Sequence, residues 1–384
     1  VSAEAEEPFD DSADGGLDEI WVSRGSVFQS LTHHLNQGCR ILVLTGITGI
    51  GKTVLAAQLT QRFQPKLGPH LVINLDMANR TKFVDIATDC LAQVGQVVTE
   101  EERHHPPQLM QRWLHLLIHD PHWVVMDSLE ALMQGDEHNG WSVFNDPLWD
   151  RFFHQLLGST ACASQLVLTS QEVPSQLQVH GWRYPERFQV QPIKGLSPDA
   201  QVALLRGYDF QPEDAESWSY LLRIGAAYEG HPLALQVILG EIRDHYGGQV
   251  VRYWQQYGAE IEVVEQAKAG LAAPGDYPQL DRYSCQLRNA VRDRIDKTFM
   301  RLRHDLPDAY LLLCTTAVYR TAVDEAFLLG PFLRRGWSPR RGQVALDTLL
   351  ERHLLEINSN NQFRQHNLIR SVALDHFQQL DAAS

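Results

Sequence analysis

The chain has 384 residues, too long for one ordinary hydrophobic core and suited to two or three domains. With 44% hydrophobic and 21% charged residues, it is neither wholly disordered nor fibrous. The formal net charge is −14, but eight acids and no base fall within residues 1–20, which leaves about −6 for the body. A mildly acidic body lacks the basic field that nonspecific nucleic-acid binding needs, so nucleic acid is not an expected partner.

Residues 1–20, with Glu4, Glu6, Glu7, Asp10, Asp11, Asp14, Asp18 and Glu19, read as an acidic, solvated linker. Because Val1 opens the chain and this linker follows, the chain is expected to be a piece of a longer polypeptide. Further domains then lie outside it. The five cysteines (Cys39, Cys90, Cys162, Cys285, Cys314) are odd in number and form no C-x-x-C pair. Neither a disulfide frame nor a zinc site is signalled, which fits a reducing cytoplasm. The apolar runs reach about six residues against the roughly 20 needed to cross a bilayer, so no membrane is expected.

From Arg40 onward, short apolar runs alternate with longer helical patterns, the sign of a parallel sheet covered by helices. Strands are expected at Ile41 to Thr45, Leu71 to Asp76, His122 to Asp127, Gln165 to Ser170 and Arg187 to Gln191. Helices are expected at Lys52 to Phe63, Lys82 to Val94, Pro107 to His119 and Asn145 to Leu157. In the third of these, Leu109, Met110, Trp113, Leu114, Leu116 and Leu117 recur at three-to-four spacing and mark a core-facing stripe. Residues 21–194 thus form one α/β domain.

After Gly195 the strand signals stop, and Ser197-Pro198-Asp199 opens an all-helical domain over 195–246. Residues 247–286, with Ala272-Ala273-Pro274-Gly275-Asp276-Tyr277-Pro278, read as a connector. From 287 to 384, helices near Asn289 to Arg303, Asp308 to Val318, Asp324 to Leu329 and Gln343 to Arg352 precede two short runs around the turn cluster Asn358-Ser359-Asn360-Asn361. Helices, a hairpin and a last helix give the outline of a winged helix. The expected fold is α/β: a domain with a parallel sheet, then a helical domain and a winged-helix domain. No repeat of 20 to 50 residues is present, so solenoid and propeller arrays are not in this chain.

The chemistry centres on Gly46-Ile47-Thr48-Gly49-Ile50-Gly51-Lys52-Thr53, a full Walker A phosphate loop that follows an apolar strand and opens a helix, so the expected α/β domain is a P-loop ATPase domain. Glycines 46, 49 and 51 let the backbone curl with N–H groups of the loop, from Thr48 and Ile50 through Val54, turned to phosphates. Lys52 supplies a cation and Thr53 a hydroxyl for Mg2+. Asp127, at the tip of Trp123-Val124-Val125-Met126-Asp127, is the expected second metal anchor. Ser128 follows it and is too weak a base to activate water, which makes Glu130 the candidate general base. The strand Leu166 to Ser170 ends beside two candidates for contact with the γ-phosphate, Thr169 and Gln171.

The order Trp21-Val22-Ser23-Arg24, Walker A, Walker B, Leu168-Thr169-Ser170-Gln171, Gly195-Leu196-Ser197, Gly230-His231-Pro232-Leu233-Ala234-Leu235 and Gln365-His366-Asn367 resembles the NB-ARC family of STAND signalling ATPases, from about Trp21 to Asp375. The resemblance implies ATP or ADP enclosed by three modules. Val22 and Arg24 match the segment that contacts adenine, although Ser23 replaces the family's glycine. Pro232 matches the proline that packs on the base. His366 matches the Met-His-Asp histidine that binds the β-phosphate of ADP, here flanked by Gln365 and Asn367. Ser128 in place of a second acid and Gln171 in place of an arginine imply slow ATP hydrolysis.

His115 and His119 stand one helical turn apart without a third ligand at convincing spacing, and read as a solvated face. Arg334-Arg335 and Arg340-Arg341 suit phosphate contact, but the family's winged helix packs on the nucleotide domain instead. The expected function is a signal-transduction switch, closed by ADP and opened by ATP for self-association, with its effector and sensor domains, upstream or downstream, outside this chain. An ATP-controlled, DNA-binding transcription regulator is the alternative, and a fast AAA-type motor is a third possibility.

Overall fold

The computed structural model describes residues 24–67, 70–75, 81–136, 140–269, 279–358 and 360–382. The acidic stretch 1–20, Val22 and the cluster Ala272–Pro278 lie outside the described residues.

The first half is the parallel α/β domain that the alternation predicts. Strands β1 (Ile41–Thr45), β2 (His70–Asn74) and β3 (Trp123–Asp127) are followed by a hairpin of β4 (Met133–Asp136) and β5 (Gly140–Phe144), then by β6 (Gln165–Ser170) and β7 (Phe188–Pro192). The main sheet has the order β2-β3-β6-β1-β7, and its pairs are all parallel. Strand β1 is apolar on both faces because both are covered: Ile41 and Val43 enter one core, Leu42 and Leu44 the other. One layer holds α1 (Gly25–Asn36) and α2 (Lys52–Leu67), through Leu31, Leu35, Leu55 and Leu59. The opposite layer is built from α3 (Phe83–Gln93), the four-residue α4 (Glu100–Arg103), α5 (Pro106–His119), α6 (Pro147–Gly158) and α7 (Ser175–Arg183). There Phe83, Trp113, Trp149 and Phe152 form an aromatic cluster, with Trp113 stacked on Phe152 at 4.5 Å between centroids.

Because β6 lies between β1 and β3, the phosphate loop after β1 and Asp127 at the tip of β3 face each other across one intervening strand. That crevice at the carboxyl ends of parallel strands is where such sheets bind ligands.

The second half is helical. It runs through α8 (Pro198–Gly207), α9 (Ala215–Ala227), α10 (Pro232–Tyr246), α11 (Val250–Ala269), α12 (Gln279–Asp305), α13 (Pro307–Thr316), α14 (Glu325–Arg334) and α15 (Pro339–Glu351). A short antiparallel pair, β8 (Glu356–Ile357) with β9 (Phe363–Arg364), and α16 (Asn367–Ala382) close it. The helix starts follow capping chemistry: Ser197, Asp214, His231 and Ser338 accept a backbone N–H with their side chains, and proline follows three of them.

The expected connector over 247–286 requires correction. Residues 250–269 are a continuous helix, and Val250, Tyr253 and Ile261 are buried in the core. Polar insertions such as Gln255-Gln256 and Gly258 dilute the apolar period of this segment, so it reads as irregular. One core runs from Leu196 through α10, α12 and α13 to Ala373, so the helical segment and the C-terminal helices share their interior.

Candidate nucleotide site

The phosphate loop leaves β1 at Gly46 and enters α2 at Lys52. Gly46, Gly49 and Gly51 have φ of +150°, +81° and +98°, conformations that L side chains rarely adopt. At Gly49 space is a second constraint, since a Cβ there would lie 2.9 Å from both His231 Cε1 and Leu233 Cδ2. The buried Lys52 ammonium donates to the carbonyls of Gly46 (2.7 Å) and Ile47 (3.1 Å), which holds it over the loop. Lys52, Thr53 and Val54 make the first turn of α2, where N–H groups lack intrahelical partners and the helix dipole favours an anion.

Thr53 Oγ1 donates to Asp127 Oδ1 at 2.9 Å, and Thr169 Oγ1 from β6 donates to the same oxygen at 2.5 Å. The Thr169 hydroxyl also accepts the N–H of Ser128 at 2.9 Å. Ser128 sits in the left-handed region (φ 67°), turning the chain off β3 into a 3-10 turn, Leu129–Leu132. That turn carries Glu130 to the tip of β6, where its carboxylate accepts from the Gln171 backbone N–H (3.3 Å) and side-chain amide (3.4 Å). Of the two γ-phosphate candidates, Thr169 is engaged with Asp127 and Gln171 with Glu130.

The donor set fits the ligands that the motif implies. The P-loop fits a polyphosphate, with glycines at 46, 49 and 51, a lysine above and a helix N-terminus beneath. A hydroxyl and a carboxylate 2.9 Å apart are hard oxygen donors of the kind Mg2+ takes. Thr53 and Asp127 would hold the ion, which would neutralise phosphate charge. Among the described residues no cluster of three or more His, Cys, Asp or Glu is placed to hold a metal, so His115 and His119 remain a pair.

Four expected contributors come from outside the loop. Arg24, just before α1, sends Nη2 to the Ile50 carbonyl (2.6 Å) and Nη1 to the Lys194 carbonyl, so it braces the loop. Pro232 is the half-buried first residue of α10. His366 is half-buried ahead of α16, and its Nδ1 accepts the Leu368 N–H at 3.2 Å, which places the proton of the neutral ring on Nε2. Burial lowers its pKa, and the charges that act on it include Glu356, Arg364, Lys52 and Asp127. Val22 lies outside the described residues.

His231 was not among the expected ligands. Its fully buried ring joins α10 to the loop: Nε2 meets the Thr48 carbonyl at 3.0 Å and Nδ1 accepts the Ala234 N–H at 3.3 Å. Desolvation pushes its pKa down to about 3, so it is neutral. Its only signal in the sequence is a polar residue before Pro232, which announces a cap and not a contact 183 positions away.

Residues 34–169 match the family model described as the AAA domain. With the five-stranded parallel sheet and the loop geometry, that match gives the first half of the chain the α/β fold of a P-loop ATPase domain. Over 369 residues the chain is 24% identical to an uncharacterized WD repeat-containing protein, alr2800, of Nostoc sp.. The match covers 93% of the chain, which spans about a quarter (26%) of that relative's length. Among solved structures it is similar to the Walker-type ATPase PABY2304 of Pyrococcus abyssi (12% identity, TM-score 0.40, covering 92% of this chain and 96% of that one). It is also similar to Cdc6p of Pyrobaculum aerophilum (15% identity, TM-score 0.40, 94% and 96%) and to ORC2 of Aeropyrum pernix (12% identity, TM-score 0.38, 94% and 95%). No helix among the described residues is long and apolar enough to cross a membrane.

Proposed function

We propose that the chain is the nucleotide-operated switch of a larger signalling protein, closed around ADP and opened by exchange to ATP for assembly with other copies. The observation that carries this is the seating of α10 on the phosphate loop, with His231 on the Thr48 carbonyl and Leu233 against Gly49. A ligand shifts an equilibrium only by contacting two states differently, and this packing gives the loop a neighbour from the helical half that can respond. His366, half-buried ahead of α16 with the proton of its neutral ring on Nε2, is the candidate second contact, to the β-phosphate. Hydrolysis is slow, because the candidate base Glu130 is held by Gln171 and Ser128, next to Asp127, supplies no second acid. The WD repeats in the name of the Nostoc relative suit a sensor array elsewhere in a longer polypeptide.

The experiment is to denature the purified protein, identify the nucleotide released, and measure mass by light scattering after loading with ADP or with ATP and Mg2+. Retained ADP and a larger species with ATP are expected. Fast turnover with unchanged mass would overturn the switch in favour of a motor. For the DNA-binding alternative, Arg334, Arg335 and Arg340 are exposed, but Arg341 is engaged by Asp308 at 2.6 Å and lies over the Trp337 ring.

A further inference from the structure

We infer that His231 and Arg24 are positioning residues of the phosphate loop: each ties a loop carbonyl outward and thereby aims the next amide inward, at the phosphates. The inference rests on the nucleotide-binding role proposed above and assigns how this chain shapes that site.

The geometry follows from the peptide bond. In a planar trans peptide the C=O of one residue and the N–H of the next point in opposite directions, and the described residues contain no cis bond. The Thr48 carbonyl points at His231 Nε2, 3.0 Å away on the α10 side. The N–H of Gly49 therefore points away from α10. The Ile50 carbonyl points at Arg24 Nη2, 2.6 Å away, so the N–H of Gly51 points away from Arg24. Lys52, by contrast, draws the Gly46 and Ile47 carbonyls to its own side of the loop. Carbonyls 46 and 47 thus face the lysine, while carbonyls 48 and 50 are tied to side chains from outside the loop.

Glycine makes such a loop accessible but does not choose its peptide orientations, because at φ of +81° and +98° Gly49 and Gly51 adopt flipped alternatives at little cost. A fixed donor on each carbonyl selects one. His231 suits this because it is held from both sides. Its Nδ1 is occupied as acceptor by the Ala234 N–H, so the one proton of the neutral ring sits on Nε2 and donates to Thr48. Arg24 is held by its second donation, to Lys194 at the exit of β7. Amides oriented before the ligand arrives spare the cost of ordering them on binding.

The two hydrogen bonds of His231 can be separated by substitution. Asparagine has the short amide of a good helix cap and does not reach Thr48. Glutamine is long enough to place an N–H where Nε2 stands, but caps poorly. If His231 aims the loop, His231→Asn should weaken ADP binding about tenfold, the equivalent of roughly 1.4 kcal/mol, while its unfolding midpoint stays near wild type. His231→Gln should bind ADP within about twofold of wild type and unfold earlier, and Arg24→Met should weaken ADP binding while Arg24→Lys, which keeps a donor, should recover part of the loss. Affinity by isothermal titration with ADP, and melting without nucleotide, provide the readouts. A purely structural role predicts the opposite order, with Gln, the less stable variant, binding worse than Asn. That order, or equal affinities for Asn, Gln and wild type, overturns the inference. Wild-type protein that binds no ADP overturns the nucleotide-site proposal itself, and this inference with it.

Discussion

Thr169 gives the sharpest test of how the site is held together. Thr169 is 1% exposed, and its hydroxyl donates to Asp127 Oδ1 at 2.5 Å and accepts the Ser128 N–H at 2.9 Å. Thr169→Val preserves the shape and removes both bonds. A hydrogen bond to a charged group contributes about 1.5–3 kcal/mol, and a buried N–H left without a partner costs about 1–3 kcal/mol. The two share one hydroxyl and are not independent, so a loss of about 3 kcal/mol is expected, or about 6–12 °C in the unfolding midpoint of a domain this size. The carboxylate would keep Thr53 as a partner and lose the one that fixes its rotation, so the Mg2+ concentration for half-maximal tight nucleotide binding should rise about 10- to 100-fold. A Mg2+ titration of nucleotide affinity and a melting curve measure the two effects, and Thr169→Ser, which keeps the hydroxyl, should restore both. A Thr169→Val protein with wild-type Mg2+ dependence would refute the claim that Thr169 orients the metal carboxylate.

Lys52→Ala should abolish most nucleotide affinity in a folded protein, read by titration with a fluorescent nucleotide, because Lys52 is the loop's own side-chain cation. Glu130→Gln should bind ATP and lose turnover, and hydrolysis at the parental rate would mean that another group, or none, activates water. Stability should fall as the pH drops through the ordinary histidine range. His231 has a folded pKa of about 3 against 6.5 unfolded, so below 6.5 the unfolded chain takes up a proton that the folded chain refuses. Between pH 7 and pH 5 this removes about 2 kcal/mol, and a denaturant midpoint that does not fall over that window would contradict a buried neutral His231. His366→Leu should weaken ADP more than ATP by about 1.5–3 kcal/mol and expose the domain junction to limited proteolysis, and identical cleavage patterns would remove His366 from the closed state.

The β-strands were legible because parallel strands covered on both faces are short unbroken apolar runs, and those ending in Thr45, Asp127 and Ser170 were placed to within a residue. The hairpin β4–β5 and helix α7 were not, since Met133-Gln134-Gly135-Asp136 neither alternates nor runs apolar, and Ser175–Arg183 buries only Leu177 and Gly181. In the site, the loop, Thr53 and Asp127 could be read because a fixed chemistry needs those residue types at that spacing. The partners of Arg24 and His231 could not. Both donate to backbone carbonyls, which every residue carries, so no side-chain pattern marks the targets. Glu130 and Gln171 were each visible alone, but their contact depends on β3 and β6 being neighbours in the sheet.

If the chain works as the proposed switch, the relative strength of two joints decides where a nucleotide acts. Beyond its first turn, α10 is locked into the C-terminal core. The buried Glu241 accepts from Arg301 at 2.9 Å and from the buried Arg294, both on α12. One turn on, Asp244 accepts from Arg352 at 2.5 Å, and Gly240 leaves no room for a Cβ, which would stand 2.6 Å from Arg352 Cα. Removing one member of a buried charge cluster costs about 3–5 kcal/mol, whereas the neutral imidazole bond from α10 to the phosphate loop contributes about 0.5–1.5 kcal/mol. The joint at Thr48 is therefore the one that the binding energy of a phosphate group suffices to change. If it yields, α10 stays with α12 and α15, and the helical half moves away from the loop as a unit.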